Sequence, residues 1–341
     1  MTAKSVGVGE YRVSSDYLIL LTELAFERGI STATLLEGTH LPETFIFQPN
    51  IPVGHESALR MIDNFCERAG LDAALEYGKR MTLSKHGALG FAAQYSETMT
   101  DAAAKVERYI ATRAQLFELE REQDSNSRHL YIRTRFPDSR AGYFLVLAFL
   151  SSVESICRAL VKEENRGARS MLQIQFDGNF SGQTVLPNCS VYANSPVNCL
   201  TWPLDALEGM LPFFNPTLST LADQELEQAL NTVSETNTLA GRVREILNEH
   251  LSEMPTVEDV AGMLHMSAAT LNRKLKAEQR SFQQIKDDLR YNKAQRLLRD
   301  TTFSVDQIAD QLGYSDASNF AKAFKAWSGN SPSQYRQQSG N

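Results

Sequence analysis

Residues 12–220 alternate between helical and strand-like patterns of apolar positions. Apolar residues recur at helical spacing in four early segments, 14–29, 31–38, 55–70 and 100–114. The most apolar segment, from about Gly142 to Lys162, predicts a long buried helix. Alternating apolar and polar residues predict strands in 114–122, 128–136, 169–178, 183–194 and 197–203. This order predicts an α+β domain in which helices partly cover a sheet.

The last third of the chain repeats one hydrophobic pattern. Val260–Ser267 and Ile308–Ser315 both read aliphatic residue, Ala, two variable residues, Leu, two variable residues, Ser. Each copy is followed by apolar and basic residues at helical spacing, in Leu271–Lys276 and Phe320–Lys325. Each copy therefore predicts two helices joined by a tight turn, which is a helix-turn-helix motif within an all-α domain.

Capping and packing residues support both motifs. Thr256 and Ser304 are predicted N-caps, because Asp259 and Gln307 follow three residues later as in a capping box. Apolar residues of each first helix are expected to pack on the second: Val260, Ala261 and Leu264 on Leu271 and Leu275, and Ile308, Ala309 and Leu312 on Phe320 and Phe324. The opposite face of each second helix is then free for a DNA major groove.

The segment between the motifs predicts a long amphipathic helix. Its apolar positions are Phe282, Ile285, Leu289, Ala294, Leu297 and Leu298. A rigid connector would hold the two second helices at a fixed separation, and adjacent major-groove faces lie roughly 34 Å apart along B-DNA. One protomer could therefore read two successive grooves.

Charge is distributed unevenly along the chain, which has a net charge of −7. Residues 251–341 carry 12 basic and 10 acidic residues, and 9 of the basic but only 3 of the acidic residues fall within 273–299. The acidic excess therefore belongs to the front of the chain. A basic segment of this size is by itself weak support for nucleic-acid binding, because it also suits a solvated helix face.

Other features indicate a cytoplasmic protein that binds no membrane. The N-terminus lacks the basic-then-apolar pattern of a signal peptide, and Glu154 and Arg158 interrupt the most apolar segment. The four cysteines are scattered without a CxxC pair, which favours buried thiols over a disulfide framework or a zinc site. No metal or other cofactor is expected.

The tail resembles the AraC/XylS family of bacterial transcription regulators over about a hundred residues. The residues that carry the resemblance are Ile308, Ala309, Leu312, Gly313, Tyr314, Ser318, Phe320, Phe324, Gly329, Pro332, Tyr335 and Arg336. The resemblance implies sequence-specific binding to double-stranded promoter DNA, with RNA polymerase as a further partner.

The resemblance also assigns roles by position. Base readout falls to Ala269, Asn272 and Arg273 in the first motif and to Ala317, Ser318, Asn319 and Lys322 in the second. Arginine can bind guanine O6 and N7, and asparagine can pair with adenine. The alternative is that Asn272 and Arg273 only solvate a helix. Phosphate contacts or helix packing are expected of Lys276, Lys325, Arg290 and Lys293.

Two positions depart from the family pattern. Lys322 stands where the family often has Arg. The lysine ammonium is a point charge, whereas the arginine guanidinium is a planar group with several donors, so looser base specificity is expected of the second motif. Gln279 stands near a frequent Gly that closes the first reading helix. A positive φ would strain Gln279, so the turn there is expected to differ.

The front of the chain resembles the regulatory region of an AraC-type subgroup named for arabinose binding. The matching segments are His86–Ala102 and Leu211–Leu218. This resemblance implies a small-molecule effector without identifying it. Candidate effector-binding residues are Phe91, Gln94 and Tyr95, with Arg113 and Arg133 as carboxylate partners. The alternative is that these residues serve core packing and surface charge.

The domain boundaries follow from these patterns. We expect a regulatory domain over 12–220, a linker over 221–237 and a DNA-binding domain over 238–338, with its motifs at about 256–276 and 304–325. A symmetric homodimer is expected on base rates.

The sequence as a whole predicts a ligand-responsive, DNA-binding transcription regulator, with activation as one expected output. The alternative is a DNA-binding regulator with no small-molecule effector, controlled by a protein partner or by dimerisation. An enzyme is not expected, since the sequence has no G-x-S-x-G, P-loop or H-E-x-x-H motif and its six histidines lack metal-ligand spacing.

Overall fold

The computed structural model describes residues 11–178, 180, 185–236, 238–251 and 253–339. The chain divides into two compact units, residues 1–230 and 231–341. Residues 183–184 of one predicted strand and residue 237 of the predicted linker lie outside the described residues. The remainder of that linker, residues 221–236, is helical.

The helices of the N-terminal unit begin and end at the signals that the sequence carries. Ser14 caps α1, the side chain of Thr98 caps α6 in a capping box, and Gly70 follows α3 with φ 83°. The helices are α1 (Ser15–Glu27), α2 (Thr32–Leu36), α3 (His55–Ala69), α4 (Ala73–Arg80), α5 (Ala88–Gln94), α6 (Met99–Tyr109), α7 (Arg140–Leu160) and α8 (Pro216–Thr236).

Two sheets accompany these helices. The strands are β1 (Arg12–Ser14), β2 (Pro52–Gly54), β3 (Phe117–Gln123), β4 (Ser127–Thr134), β5 (Ser170–Gln173), β6 (Cys189–Tyr192) and β7 (Cys199–Pro203). β1 and β2 form an antiparallel pair, and the larger sheet has the order β3-β4-β7-β5-β6 with only β5 and β6 parallel. The predicted α+β class is confirmed.

Helix α7 is the central helix of the N-terminal core. It is long and apolar enough to cross a membrane by length and composition, yet a continuous series of its residues is buried against the other elements. Glu154 is 1 % exposed and forms an ion pair with Arg158, and it also accepts a 2.9 Å hydrogen bond from the Ser170 hydroxyl. Because buried charges persist when they are paired, this network is compatible with a protein core, as predicted for this segment.

The C-terminal unit is entirely helical in the part that the structure describes. Its helices are α9 (Leu239–Glu249), α10 (Val257–Met263), α11 (Ala268–Ala277), α12 (Phe282–Asp300), α13 (Val305–Gln311), α14 (Ala317–Ser328) and α15 (Pro332–Ser339). Both predicted capping boxes are present, Thr256 with Asp259 and Ser304 with Gln307. The pairs α10–α11 and α13–α14 are the two helix-turn-helix motifs.

Each motif has its own small hydrophobic core, and α12 contributes to both. Val260, Ala261, Leu271 and Leu275 are buried together in the first core, which also contains Ile285 of α12. In the second core the predicted α13 and α14 residues are buried together with Ala294, Leu297 and Leu298. The predicted packing is confirmed. At 1.5 Å per residue, α12 is about 28 Å long.

The turn after α11 contains a residue in the left-handed conformation, although Gln279 stands near the position where the family often has glycine. Gln279 itself takes the left-handed conformation, with φ 57°. Its N–H donates to the Lys276 carbonyl, and the Arg280 N–H donates to the Leu275 carbonyl, both at 3.0 Å. These two bonds form a Schellman motif. The expectation that this turn would differ is therefore wrong, because the hydrogen bonds hold the glutamine in the strained region.

Replacing Gln279 by glycine is expected to stabilise the C-terminal unit by about 0.5–1 kcal/mol, because relief of left-handed strain exceeds the added chain entropy. The measurement is urea unfolding followed by Trp327 fluorescence in a Trp202→Phe background, which removes the other of the two tryptophans. Lys274→Gly, in the interior of α11, is the control and should destabilise by about 1 kcal/mol. If Gln279→Gly lowers the free energy of unfolding as much as the control does, Gln279 is not strained in this turn.

Candidate DNA-binding surface and effector cavity

The four predicted contact residues of the first motif share one exposed face of α11. Ala269, Asn272, Arg273 and Lys276 follow the i, i+3, i+4, i+7 spacing, and all four are exposed. At 3.6 residues per turn they fall within an arc of about 100°, opposite the buried leucines of the same helix. Neither Arg273 nor Lys276 forms an ion pair with any of the described residues. This face therefore presents two cations and one amide to solvent.

The second motif presents a similar but less open face on α14. Ser318, Asn319, Lys322 and Lys325 are exposed and fall within an arc of about 120°. Ala317 is half-buried and lies outside this arc. The structure thus groups four of the five residues predicted for this helix.

A carboxylate that is not among the predicted contact residues lies beside the second face. Asp316 is the N-cap of α14, and it accepts hydrogen bonds from the Asn319 backbone N–H and from Asn319 Nδ2, both at 2.7 Å. The backbone N–H of Asn319, and next among the hydrogen bonds the Ser315 hydroxyl, lower the pKa of Asp316. Asn319 Nδ2 also donates to the Ser315 hydroxyl at 3.3 Å, so both donor hydrogens of the amide are engaged and one must be released before it can donate to a base. The sequence signal for Asp316 is its N-cap position directly before a helical segment.

Arg290 packs helices together. Its Nε donates to the Leu312 carbonyl at 3.0 Å and its Nη2 to the Gly313 carbonyl at 2.9 Å. The guanidinium also lies 4.2 Å from the ring centroid of Tyr314. Of the two roles predicted for Arg290, these contacts favour helix packing, since they fix the end of α13 onto α12. Lys293 is exposed, and its role as a phosphate contact or in helix packing stays a prediction.

The N-terminal unit contains two adjacent apolar cavities. The larger, which we call the α6–α7 cavity, has a volume of about 90 Å³ and is lined by residues of α5, α6, α7, β3 and β4. The second has a volume of about 50 Å³ and lies among α1, α3, α4 and α7. The residues common to both walls are His86, Ile110, Phe149 and Ser152. Both cavities belong to the same core.

His86 bridges the two cavities through a chain of hydrogen bonds. The Ser152 hydroxyl donates to the Met81 carbonyl at 3.1 Å, so its oxygen accepts from His86 Nε2 at 3.2 Å. Nδ1 then accepts from the Tyr17 hydroxyl at 2.9 Å. Burial, and next the charge of Arg113, lower the pKa of His86 to about 4. The histidine is therefore neutral, and both of its ring nitrogens are already engaged.

The structure places the five predicted effector residues elsewhere. Arg113 is 8 % exposed, forms an ion pair with Asp16 and donates to Asn50 Oδ1 at 2.7 Å. Arg133 is exposed on the outer sheet face and forms an ion pair with Glu120. The remaining three residues, Phe91, Gln94 and Tyr95, lie in or next to α5. Phe91 stacks on Tyr95, and Gln94 is half-buried. None of the five, all of which the structure describes, lines either cavity.

The glycine-rich stretch that suggested those residues has a packing role. A Cβ on Gly90 would lie 1.7 Å from the Leu83 carbonyl oxygen, so only glycine allows this close approach. The missed cavity residues include Leu119, Arg121 and Leu130 on the β3–β4 hairpin. Their signal was the period-two alternation of the hairpin, which places a charged Arg121 on the inward face.

These features define a class of protein: a regulator in which a DNA-binding unit with two helix-turn-helix motifs follows an α+β unit. A family model described as the arabinose-binding domain of AraC transcription regulators matches residues 29–209, and a helix-turn-helix domain model matches residues 260–338. The chain belongs to the AraC family of transcription regulators. Its domains and relatives are those of regulators, and it is not an enzyme.

Two curated relatives agree with this class. The chain is 27 % identical over 322 residues to the ornithine utilization regulator of Pseudomonas aeruginosa, covering 94 % of this chain and 95 % of the relative. It is 40 % identical over 94 residues to the HTH-type transcriptional regulator YdeO of Shigella flexneri, covering 28 % and 37 % of the two chains. The structure of the transcriptional regulator CdpR from P. aeruginosa matches 94 % of this chain and 98 % of that chain, at 20 % identity and a TM-score of 0.47.

Arg273→Ala is expected to weaken binding to a selected DNA site by about 1–3 kcal/mol and to relax base choice at one position. Lys276→Ala should weaken binding about equally on all sequences, as loss of a phosphate contact does. The measurement is fluorescence anisotropy at fixed salt on the selected site and its single-base variants. Lys274→Ala is the control, because Lys274 has the same charge as Lys276 but lies off the shared face. Uniform weakening by Arg273→Ala would make Arg273 a phosphate contact.

Proposed function

We propose that this protein is a ligand-responsive transcription regulator in which a small molecule bound in the N-terminal unit changes DNA binding or activation by the C-terminal unit. The observation that carries the proposal is the α6–α7 cavity, which lies inside the region matched by the arabinose-binding domain model. In the C-terminal unit, the exposed faces of α11 and α14 are assigned to base readout, with Lys276 and Lys325 as phosphate contacts.

Helix α6 supplies a physical connection for this response. Its residues Ala102, Ala103 and Val106 line the α6–α7 cavity. From the same helix, Lys105 forms a 2.9 Å ion pair with Asp223 of α8, and the Tyr109 hydroxyl donates to Glu227 at 2.5 Å. Helix α8 continues to Thr236, beyond the end of the N-terminal unit at residue 230. A ligand that shifts α6 would therefore act on the helix that leads out of this unit.

A response of this kind requires the ligand to prefer one conformational state. A ligand with equal affinity for both states shifts no equilibrium, however tightly it binds. We infer that the favoured state differs in the position of α6 against α8, where polar contacts can exchange more easily than the apolar core can repack.

Promoter DNA, RNA polymerase and a second copy of the chain are the proposed partners, and the cytoplasm is the proposed location. A dimer contact on α8 is compatible with Leu221, which is 56 % exposed. Leu226, by contrast, is buried within its own unit.

A screen of the full chain by thermal unfolding tests the sensing proposal. Amino acids including ornithine, sugars, aromatic acids and aliphatic carboxylates are the probes. We expect one class to raise the Tm saturably, since a ligand at a hundred times its Kd adds about 2.7 kcal/mol of stability. The same class should change the affinity for a selected DNA site in an anisotropy assay.

The alternative, a regulator controlled by a protein partner or by dimerisation, predicts a different outcome. No probe class would raise the Tm, while DNA affinity would change with protein concentration as dimers form. Stabilisation by a ligand without any change in DNA binding or transcription in vitro would also contradict the proposal.

A further inference from the structure

The sheet face that covers the α6–α7 cavity changes from apolar to basic along its strands. Leu119 and Arg121 of β3 line the cavity, and Arg121 lies opposite Leu130 of β4, which also lines it. Side chains two residues apart share a sheet face, so Arg128 lies on the same face as Leu130. In the register of the hairpin Arg128 lies opposite Gln123, which places the two arginines at diagonal positions.

Both arginines retain hydrogen-bonding capacity. Arg121 forms an ion pair with Glu107, and its Nη1 makes only a 3.5 Å contact to the Thr100 carbonyl. Arg128 Nη2 donates to Gln123 at 2.9 Å, whereas its buried Nη1 has no acceptor among the described residues. A buried donor without an acceptor is unfavourable, and an anionic oxygen would satisfy it with a charge-assisted hydrogen bond.

The electrostatics of this end of the cavity support an anionic ligand group. Burial, and next the charge of Arg121, lower the pKa of Arg128, so the two guanidinium groups lie close enough to repel each other. Among the described residues, Glu107 forms an ion pair with Arg121, and the Cys157 thiol and the exposed Glu208 lie near enough to affect Arg128. A carboxylate between the two arginines would relieve their repulsion.

The interior of the cavity selects against polar ligands. Its inner polar groups, His86 and Ser152, already bond to each other and to Tyr17 and Met81. The remaining inner wall is aliphatic and aromatic, with Phe149 among its residues. A sugar or a zwitterionic amino acid placed there would lose its hydrogen bonds to water without replacement.

We propose that the α6–α7 cavity binds an amphipathic monocarboxylate, with its apolar body between α6 and α7 and its carboxylate accepting hydrogen bonds from Arg121 and Arg128. This inference rests on the proposed sensing function and names its ligand class. An engineered cavity of about 150 Å³ holds benzene. The 90 Å³ cavity is smaller and has room for about three to four carbons, so a chain of about six to eight carbons has to displace α6 from α7, which is the movement that the proposed response requires.

Isothermal titration calorimetry of the full chain tests this ligand class with octanoate, 1-octanol and ornithine. Octanoate and 1-octanol share an eight-carbon chain and differ in charge. We expect octanoate to bind at least about tenfold more tightly than 1-octanol, because charge-assisted hydrogen bonds are about twice as strong as neutral ones. Ornithine should give no binding heat, because its two ammonium groups have no partners inside an apolar cavity.

Three variants separate the contributions of the charge and the cavity. Arg128→Met should remove most of the preference for octanoate while keeping 1-octanol binding. Arg133→Met is the matched control, since Arg133 lies on the same strand but on the outer face, and it should bind as the parent does. Ala103→Phe places a ring in the cavity and should weaken binding of both ligands.

Equal affinity for octanoate and 1-octanol, or an unchanged preference in Arg128→Met, would overturn the assignment of the carboxylate to the arginines. Octanoate binding that survives Ala103→Phe would overturn the location. If octanoate fails to bind but another class stabilises the chain in the thermal screen, the ligand class is wrong and the sensing function stands. If no probe binds in either experiment, both proposals fail together.

Discussion

Helix α12 contributes side chains to two hydrophobic cores at once, and the geometry of the DNA-binding unit depends on this sharing. Its first turns bury Ile285 in the core of the first motif, and its last turns bury Ala294 and Leu298 in the core of the second. Each core contains few residues, and domains this small are marginally stable on their own. Because neither motif has a complete core without α12, the helix both stabilises the motifs and fixes the distance between α11 and α14.

Contacts at the middle of α12 and just before its start reinforce this constraint. Arg290 ties the middle of the helix to the end of α13 through two carbonyls and the Tyr314 ring. Glu278, just before α12, accepts hydrogen bonds from the N–H groups of Leu239 and Ala240 and so joins the start of α9 to the end of α11. Both sets of contacts provide hydrogen-bond partners for backbone groups at helix ends, which have no partner within their own helix. The reading faces therefore belong to a preorganised unit, and DNA binding need not order them.

The sequence predicted the C-terminal unit in detail because its determinants are local. Capping residues lie within three positions of the groups they bind, and the small residues Ala261 and Ala309 recur at equivalent places in each copy. The cavity depends on contacts that are distant in sequence. Arg113 forms an ion pair with Asp16, 97 residues away, which no local pattern reveals. The glycine-rich stretch predicts a site, although Gly90 serves close packing, whereas the strand alternation carries the signal for the inward-facing Arg121.

Hydroxyl-radical footprinting of the full chain on a DNA site selected from random sequence tests the role of α12 most directly. A shared rigid helix predicts protected tracts in pairs, with a constant spacing of about one helical turn, 10–10.5 base pairs. Arg273→Ala should weaken protection of one tract of each pair, and Lys322→Ala that of the other. A single tract per protomer, or a spacing that varies among selected sites, would contradict the account, because it would mean that α12 does not hold the two motifs in one fixed arrangement.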